Sequence, residues 1–228
     1  VSPTVATDVN GIAATSWTLG NTAGPNTLTA TAVGLAGSPV SFSDTGAAAP
    51  APQVALQAGD GQTATVGTAV AIAPAVIVRD QFNNPVAGVA VTFAVATGGG
   101  TASPPTPVLT DANGIAALTF WTVGTTAGSN TLSASADGLT GSPVTFTVTG
   151  TPGNASSIAL QTGDGQTATV GTAVATPPAV IVRDQFNNPV AGVAVTFAVT
   201  AGAGTVSPAT PVTTDATGVA TATSWTLG

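Results

Sequence analysis

Large apolar residues alternate with small or polar ones through Val89-Ala90-Val91-Thr92-Phe93-Ala94-Val95. A period of two puts Val89, Val91, Phe93 and Val95 on one face and predicts a half-buried strand. The same pattern runs from Val193 to Val199, through Pro143 to Val148 with Val144, Phe146 and Val148 inward, and through Thr131 to Ala136 with smaller residues. Between such runs stand turn sequences: Gly59-Asp60-Gly61, Asn83-Asn84-Pro85, Gly98-Gly99-Gly100, Asp111-Ala112-Asn113-Gly114 and Asp137-Gly138. Thr and Val favour strands, and Gly or Pro interrupts every stretch that could become a helix.

The pattern is copied. Leu56 to Thr101 recurs as Leu160 to Thr205, identical at 40 of 46 positions and 104 residues apart. Trp17, Trp121 and Trp225 keep that spacing, each opening W-T-[LV]-G, as do Gly46 and Gly150. A period of this length is a whole domain in tandem, too long for one solenoid unit. Residues 1–46 match the back of a repeat, 47–150 make one complete repeat, and 151–228 match the front of another. Seven or more short antiparallel strands per repeat are expected, closing as two packed sheets in an all-β sandwich. The predicted core of the complete repeat is Val78, Val89, Val91, Phe93, Trp121, Leu132, Val144 and Phe146. Joins at Gly46 to Pro52 and Gly150 to Asn154 are short, the first stiffened by proline, so consecutive domains are expected end to end.

Composition removes most chemistry. The 228 residues contain no Cys, His, Met, Tyr, Lys or Glu; Arg79 and Arg183 are the only cations and nine Asp the only acids. Most general acid/base and nucleophile chemistry loses its usual reagents, and His and Cys zinc ligands are missing. No catalytic, cofactor-binding or metal residue is assigned, and no enzyme activity is expected. The net charge of -7 is thinly spread, leaving no basic stripe for nucleic acid. Charged residues make up 5% of the chain, against roughly 25% in an average soluble protein, so the surface must be mainly Thr, Ser, Ala, Gly and Asn. Such a surface repels its neighbours weakly. The longest apolar stretch, Ala69 to Val78, is broken by Pro74 and is too short for a membrane helix. Lacking an initiating Met or targeting segment, the chain reads as mature or as a fragment.

Individual residues invite sharper readings, each set against a plainer one. Gly59-x-Gly61-x-x-Ala64 and its copy from Gly163 fit a loose dinucleotide pattern, but Thr63, Thr65 and Val66 continue as a strand, so a tight turn is expected. Arg79 and Asp80 point to opposite faces of their strand, with Asp80 holding the turn through Phe82 and Asn83. Asp111 and Asp215 precede x-[NT]-G and read as turn formers. Calcium is the one cofactor the inventory could hold, with Asp60, Asp137 and Asp164 as linker-end candidates, but no D-x-D-x-D cluster occurs and none is assigned. Asn154-Ala155-Ser156 is a formal glycosylation sequon whose counterpart begins at Pro50, and is read as chance. The tryptophans are core anchors or, alternatively, sugar-stacking platforms. Gly114 to Trp121 is one residue longer than Gly11 to Trp17, so a bulge is expected there.

The order V-x-D-x-x-x-N-P-V-x-G-V-x-V-T-F from Val78 to Phe93, then T-D-x-x-G-x-A from Thr110 to Ala116, resembles bacterial immunoglobulin-like repeats of the intimin and invasin type. W-T-V-G-T-T-A-G-S-N-T-L-S-A and G-L-T-G-S-P-V-T-F are similar to the long tandem versions in large bacterial surface proteins. Asn83 stands where that family commonly has Gly. The resemblance implies tandem Ig-like domains in a linear rod: an extracellular or cell-surface stalk, fibre or giant adhesin acting as a mechanical spacer. Its partners would be neighbouring repeats or copies of the same chain, with carbohydrate or receptor binding as an alternative. Residues 151–228 stop before counterparts of the strands holding Leu132 and Phe146. A longer continuous array explains this, and so does a filament joined by donor-strand complementation.

Overall fold

The computed structural model describes residues 4–228, and every regular element in them is a strand. In the first repeat, β1 (Gly24–Ala30) and β2 (Val40–Gly46) pair as an antiparallel hairpin. The middle repeat carries ten strands: β3 (Gln53–Ala58), β4 (Gln62–Thr65), β5 (Ala75–Arg79), β6 (Ala90–Thr97), β7 (Gly100–Ser103), β8 (Val108–Leu109), β9 (Ile115–Ala117), β10 (Phe120–Val123), β11 (Gly128–Ser135) and β12 (Val144–Thr151). They form a three-stranded sheet in the order β3-β5-β9, a five-stranded sheet in the order β4-β12-β11-β6-β8, and the pair β7-β10.

Alternation becomes layering. Along β12, Val144, Phe146 and Val148 are buried and Thr145, Thr147 and Thr149 exposed; along β6, Val91 and Phe93 point inward. With Leu132 and Ala134 of β11 they face Val54, Val76 and Val78 of the other sheet, and Trp121 fills the space between. Seven of the eight predicted core residues are buried; Val89 is partly exposed but packs on the same cluster. Phe93 and Phe146 lie with ring centroids 6.4 Å apart.

One pairing differs from the expected antiparallel pattern: β4 lies parallel to β12, with Thr63 opposite Thr149 and Thr65 opposite Thr151. The chain pairs first with β5 as β3, turns at Gly59-Asp60-Gly61, and continues as β4 on the other sheet, beside a last strand running the same way. Close to the expected bulge, strand structure breaks at Leu118-Thr119. Leu118 N donates to Pro74 O and Thr119 N to Ser103 O, so the chain changes from the β5 sheet to β7 there.

In the third repeat, β13 (Ala155–Thr162), β14 (Ala179–Asp184) and β18 (Val219–Thr221) rebuild the three-stranded sheet. The remaining strands are short pairs: β15 (Ala194–Val195) with β17 (Val212–Thr213), and β16 (Thr205–Ser207) with β19 (Ser224–Thr226). Gln166 to Thr169, the copy of β4, forms no strand.

Candidate inter-repeat junction

The most densely bonded polar group is neither a pocket nor an acidic cluster but the turn after β5. In Asp80-Gln81-Phe82-Asn83-Asn84-Pro85, Asn83 N donates to Asp80 O (3.0 Å) and Asp80 N to Asn84 O (2.9 Å). Asn83 sits at φ 69°, in the left-handed region that Asn tolerates better than most residues. The Asp80 carboxylate is buried. Its Oδ1 accepts from Phe82 N and Asn84 N, both at 2.8 Å, and its Oδ2 from Asn84 Nδ2 at 2.9 Å.

Two further contacts leave the repeat. Asp80 Oδ2 accepts from Ala49 N in the linker (2.9 Å), and Asn84 reaches the loop before β1 in the first repeat. There Asn84 Oδ1 accepts from Ala23 N (2.9 Å) and Asn84 Nδ2 donates to Asn21 O (2.7 Å). The buried amide therefore uses both ends: it steadies the carboxylate behind it and binds the backbone of the preceding repeat in front.

The whole arrangement recurs at the next join. Asp184 accepts from Phe186 N, Asn188 N and Asn188 Nδ2, and from Gly153 N of the linker at 2.9 Å. Asn188 Oδ1 accepts from Ala127 N and Asn188 Nδ2 donates to Thr125 O, both at 2.8 Å. The Phe186 ring also lies over Gly67 of the middle repeat, where a Cβ would come within 3.3 Å of it. Gly67 has φ +74°, so a side chain there would be strained and would also push against the ring.

No cation faces these carboxylates from their own turns, because Arg79 and Arg183 each turn Nη1 to the carbonyl of Asn83 or Asn187 at 2.8 Å. Burial pushes the Asp80 carboxyl up, but the Asn84 side chain and the N–H groups of Asn84, Ala49 and Phe82 outweigh it, leaving it below the usual carboxylate value. Asp184 is lowered in the same way by Asn188, Gly153 and Phe186 against burial. Hydrogen bonds to the charged form are the dominant balance at both joins.

The other singled-out residues have simpler places. Asp111 accepts from Asn113 N and Ile115 N, and Asp215 from Thr217 and Val219 N, as turn formers. Asp60 accepts from Thr147 N at 2.7 Å, so it lies at the turn into β4 rather than at a linker end. Among the described residues no three acidic side chains come together, and Asp60, Asp137 and Asp164 do not converge. No helix starts at Gly59 or Gly163. Asn154 is exposed in its linker.

Trp121 is 0% exposed, with its Nε1 unpartnered, so it offers no platform for a sugar. Asp80 was legible as a turn residue, but its reach to the linker was not, and Asn84 with the T-A-G-[PS]-N loop was missed. The available signal was the constant spacing of that loop from the next N-N-P in both copies.

Residues 53–149 match the family described as bacterial Ig-like domain (group 1). Among solved structures, the Escherichia coli adhesin FdeC is similar at 18% identity and TM-score 0.55, over 90% of this chain and 66% of that one. Invasin, described as a bacterial integrin-binding protein, is similar at 19% identity and TM-score 0.48, over 96% of this chain and 43% of that one. The chain thus spans less than two thirds of either. No curated protein sequence matches it. The sandwich and its strand order agree with the sequence match: residues 53–149 fit the group 1 bacterial Ig-like domains, and the chain has the all-β Ig-like fold.

Proposed function

We propose that the chain is a load-transmitting spacer in a bacterial cell-surface, adhesin-type stalk, with residues 47–150 as one self-contained domain and neighbouring repeats as its principal partners. The observation that carries this reading is the Asp-Asn latch, made with the same atoms to the same positions at both joins. A short linker alone limits bending weakly; a linker bonded to a buried carboxylate, beside an amide bonded to the preceding loop, removes most remaining freedom. Stiff joins let domain lengths add into reach. The family match over residues 53–149 and the fold shared with FdeC support a surface setting. The chain carries no His, Cys, Lys, Tyr or Glu, and among its described residues no acidic cluster, that would favour a catalytic reading over this one.

The cysteine-free chain suits distance measurement by paired spin labels. With labels at the exposed Thr145 and Ser157, on either side of the second join, a narrow distance distribution is expected, broadening in Asn188→Ala. A distribution already as broad as that of a free linker in the unaltered chain would overturn the spacer reading.

A further inference from the structure

Where a pull along the chain would be resisted follows from the strand order. Tension entering from the preceding repeat arrives through the linker into β3 and β4; tension leaving for the next repeat departs through β12. The pairing of β4 with β12 is the one ladder that joins the entering and leaving strands, and it is parallel. Pulling two parallel neighbours from opposite ends slides them along each other, so their hydrogen bonds are loaded together. An antiparallel pair pulled from adjacent ends opens one bond at a time.

We propose that the β4–β12 ladder is the force-bearing clamp of the repeat, the element whose rupture sets the load at which the stalk yields. The inference rests on the spacer reading, which supplies the load. Both ends of the ladder carry extra bonds. At its start, Gly61 N donates to Thr147 O at 3.0 Å and Asp60 Oδ1 accepts from Thr147 N at 2.7 Å. At its finish, Val66 N donates to Thr151 O at 2.9 Å.

Gln62 anchors β4 from the side: its Nε2 donates to Gly59 O and Ile72 O, and its Oε1 accepts from Ile72 N. Val66, just past the strand, is buried beside Gly150, where a Cβ would lie 3.4 Å from the valine. The Gln62 bonds hold β4 against sliding from outside β12, and Val66 packs it onto β12 at the far end. The third repeat shows what the pairing does for the strand. Gln166 to Thr169, which no strand pairs as β12 pairs β4, form no strand although Gln166 keeps all three side-chain bonds.

The test is single-molecule stretching of the 228-residue chain from its two ends. The highest force peak should release the segment from Gln62 to Thr151, roughly 300 Å of extended chain. Thr63→Pro places a residue without an N–H in a strand whose only partner is β12, at an exposed position. It should lower that peak to about half, because forced unfolding follows the barrier rather than the equilibrium stability.

Asp60→Ala should lower the peak by a smaller step. Phe93→Ala weakens the core without removing any hydrogen bond of the ladder and should reduce the peak less than Thr63→Pro while lowering the urea midpoint more. If Thr63→Pro fails to fold, Asp60→Ala decides. An unchanged peak in the clamp variant that folds, or a larger drop in Phe93→Ala, overturns the proposal. Because the spin-label distances across the second join are measured without force, stiff joins with an unchanged peak would reject the clamp and leave the spacer reading standing.

Discussion

The middle and third repeats share nearly the same front half, yet their strands differ. Val66 is 2% exposed and its copy Val170 72%; Val54 is 3% exposed and its counterpart Ile158 58%. The eight-residue strand β6 shrinks to the two residues of β15 on the same V-A-V-T-F-A-V sequence. What survives is local: the turn after β14, with Asp184 and Asn188, reproduces every bond of the turn after β5. Strand propensity is therefore a weak instruction until a neighbour supplies the ladder and the opposing face, whereas a turn carries its own partners within five residues.

The sharpest way to test this contrast is to make the same cut in both copies. Phe93→Ala should destabilise the middle repeat by about 3–5 kcal/mol, because the ring is buried against Phe146 and the void cannot close. Phe197→Ala, at the same position in the repeat, should lower the chain's stability by less than about 1 kcal/mol, since that ring is only partly covered. Urea titration followed by near-UV circular dichroism reads both. Equal losses would mean that the third repeat is as closed as the second.

A second pair compares the first and middle repeats. At Gly124 an added Cβ would collide with Gly98 O, whereas at Gly20, the same position one period earlier, nothing lies within 4 Å. Gly124→Ala should therefore destabilise by about 3 kcal/mol through displaced backbone, and Gly20→Ala should change stability by no more than about 0.5 kcal/mol. Thermal melts of the two variants check the difference. A mild Gly124→Ala would show that the β10–β11 loop can shift freely.

The joins supply a third contrast, in pH. Asp80 and Asp184 both have carboxyls lowered in the folded chain, so their contribution is present above the ordinary carboxylate value of 3.8 and is lost as pH falls through the lower folded value. Asp111 and Asp215 are lowered too, chiefly by the backbone N–H of Ile115 and by the Thr217 side chain. Spin-label distances across the second join should stay narrow from neutral pH down to about pH 4 and broaden below it. Broadening that begins near pH 6 would assign the joins to something other than these carboxylates.

How much of this could be read beforehand depends on the distance over which each feature is decided. The inward faces of β6 and β12 were legible because Phe93 and Phe146 alternate with small residues within seven positions. Trp121 was legible as a core residue for its size and its low-charge surroundings. The parallel β4–β12 pairing was not, because nothing in Gln62 to Thr65 records which sheet the strand joins after the Gly59–Gly61 turn. Asn84 was hidden for a related reason. An Asn before Pro reads as a turn residue, and its second role appears only when the loop 63 residues earlier is folded against it.

The smallest effect expected concerns Asn83, which has φ 69°, and its copy Asn187, at 70°. Both donate N–H to the aspartate carbonyl that opens the turn, and both offer a carbonyl to the neighbouring arginine. These are backbone bonds, so replacing the side chain leaves them intact and isolates the conformational term. Asn83→Ala should be destabilising by about 1 kcal/mol, since an L residue with a Cβ is unfavourable in this region. Asn83→Gly should stay within about 0.5 kcal/mol of the parent, the relief in the folded turn being offset by the greater freedom of the unfolded chain. Because the two turns share every backbone bond, Asn187→Ala should lose as much as Asn83→Ala, even though its sandwich is the more open one. A clearly smaller loss at Asn187 would show that the turn depends on the closed sandwich behind it, and the separation of local turn from distant ladder would fail at its simplest point.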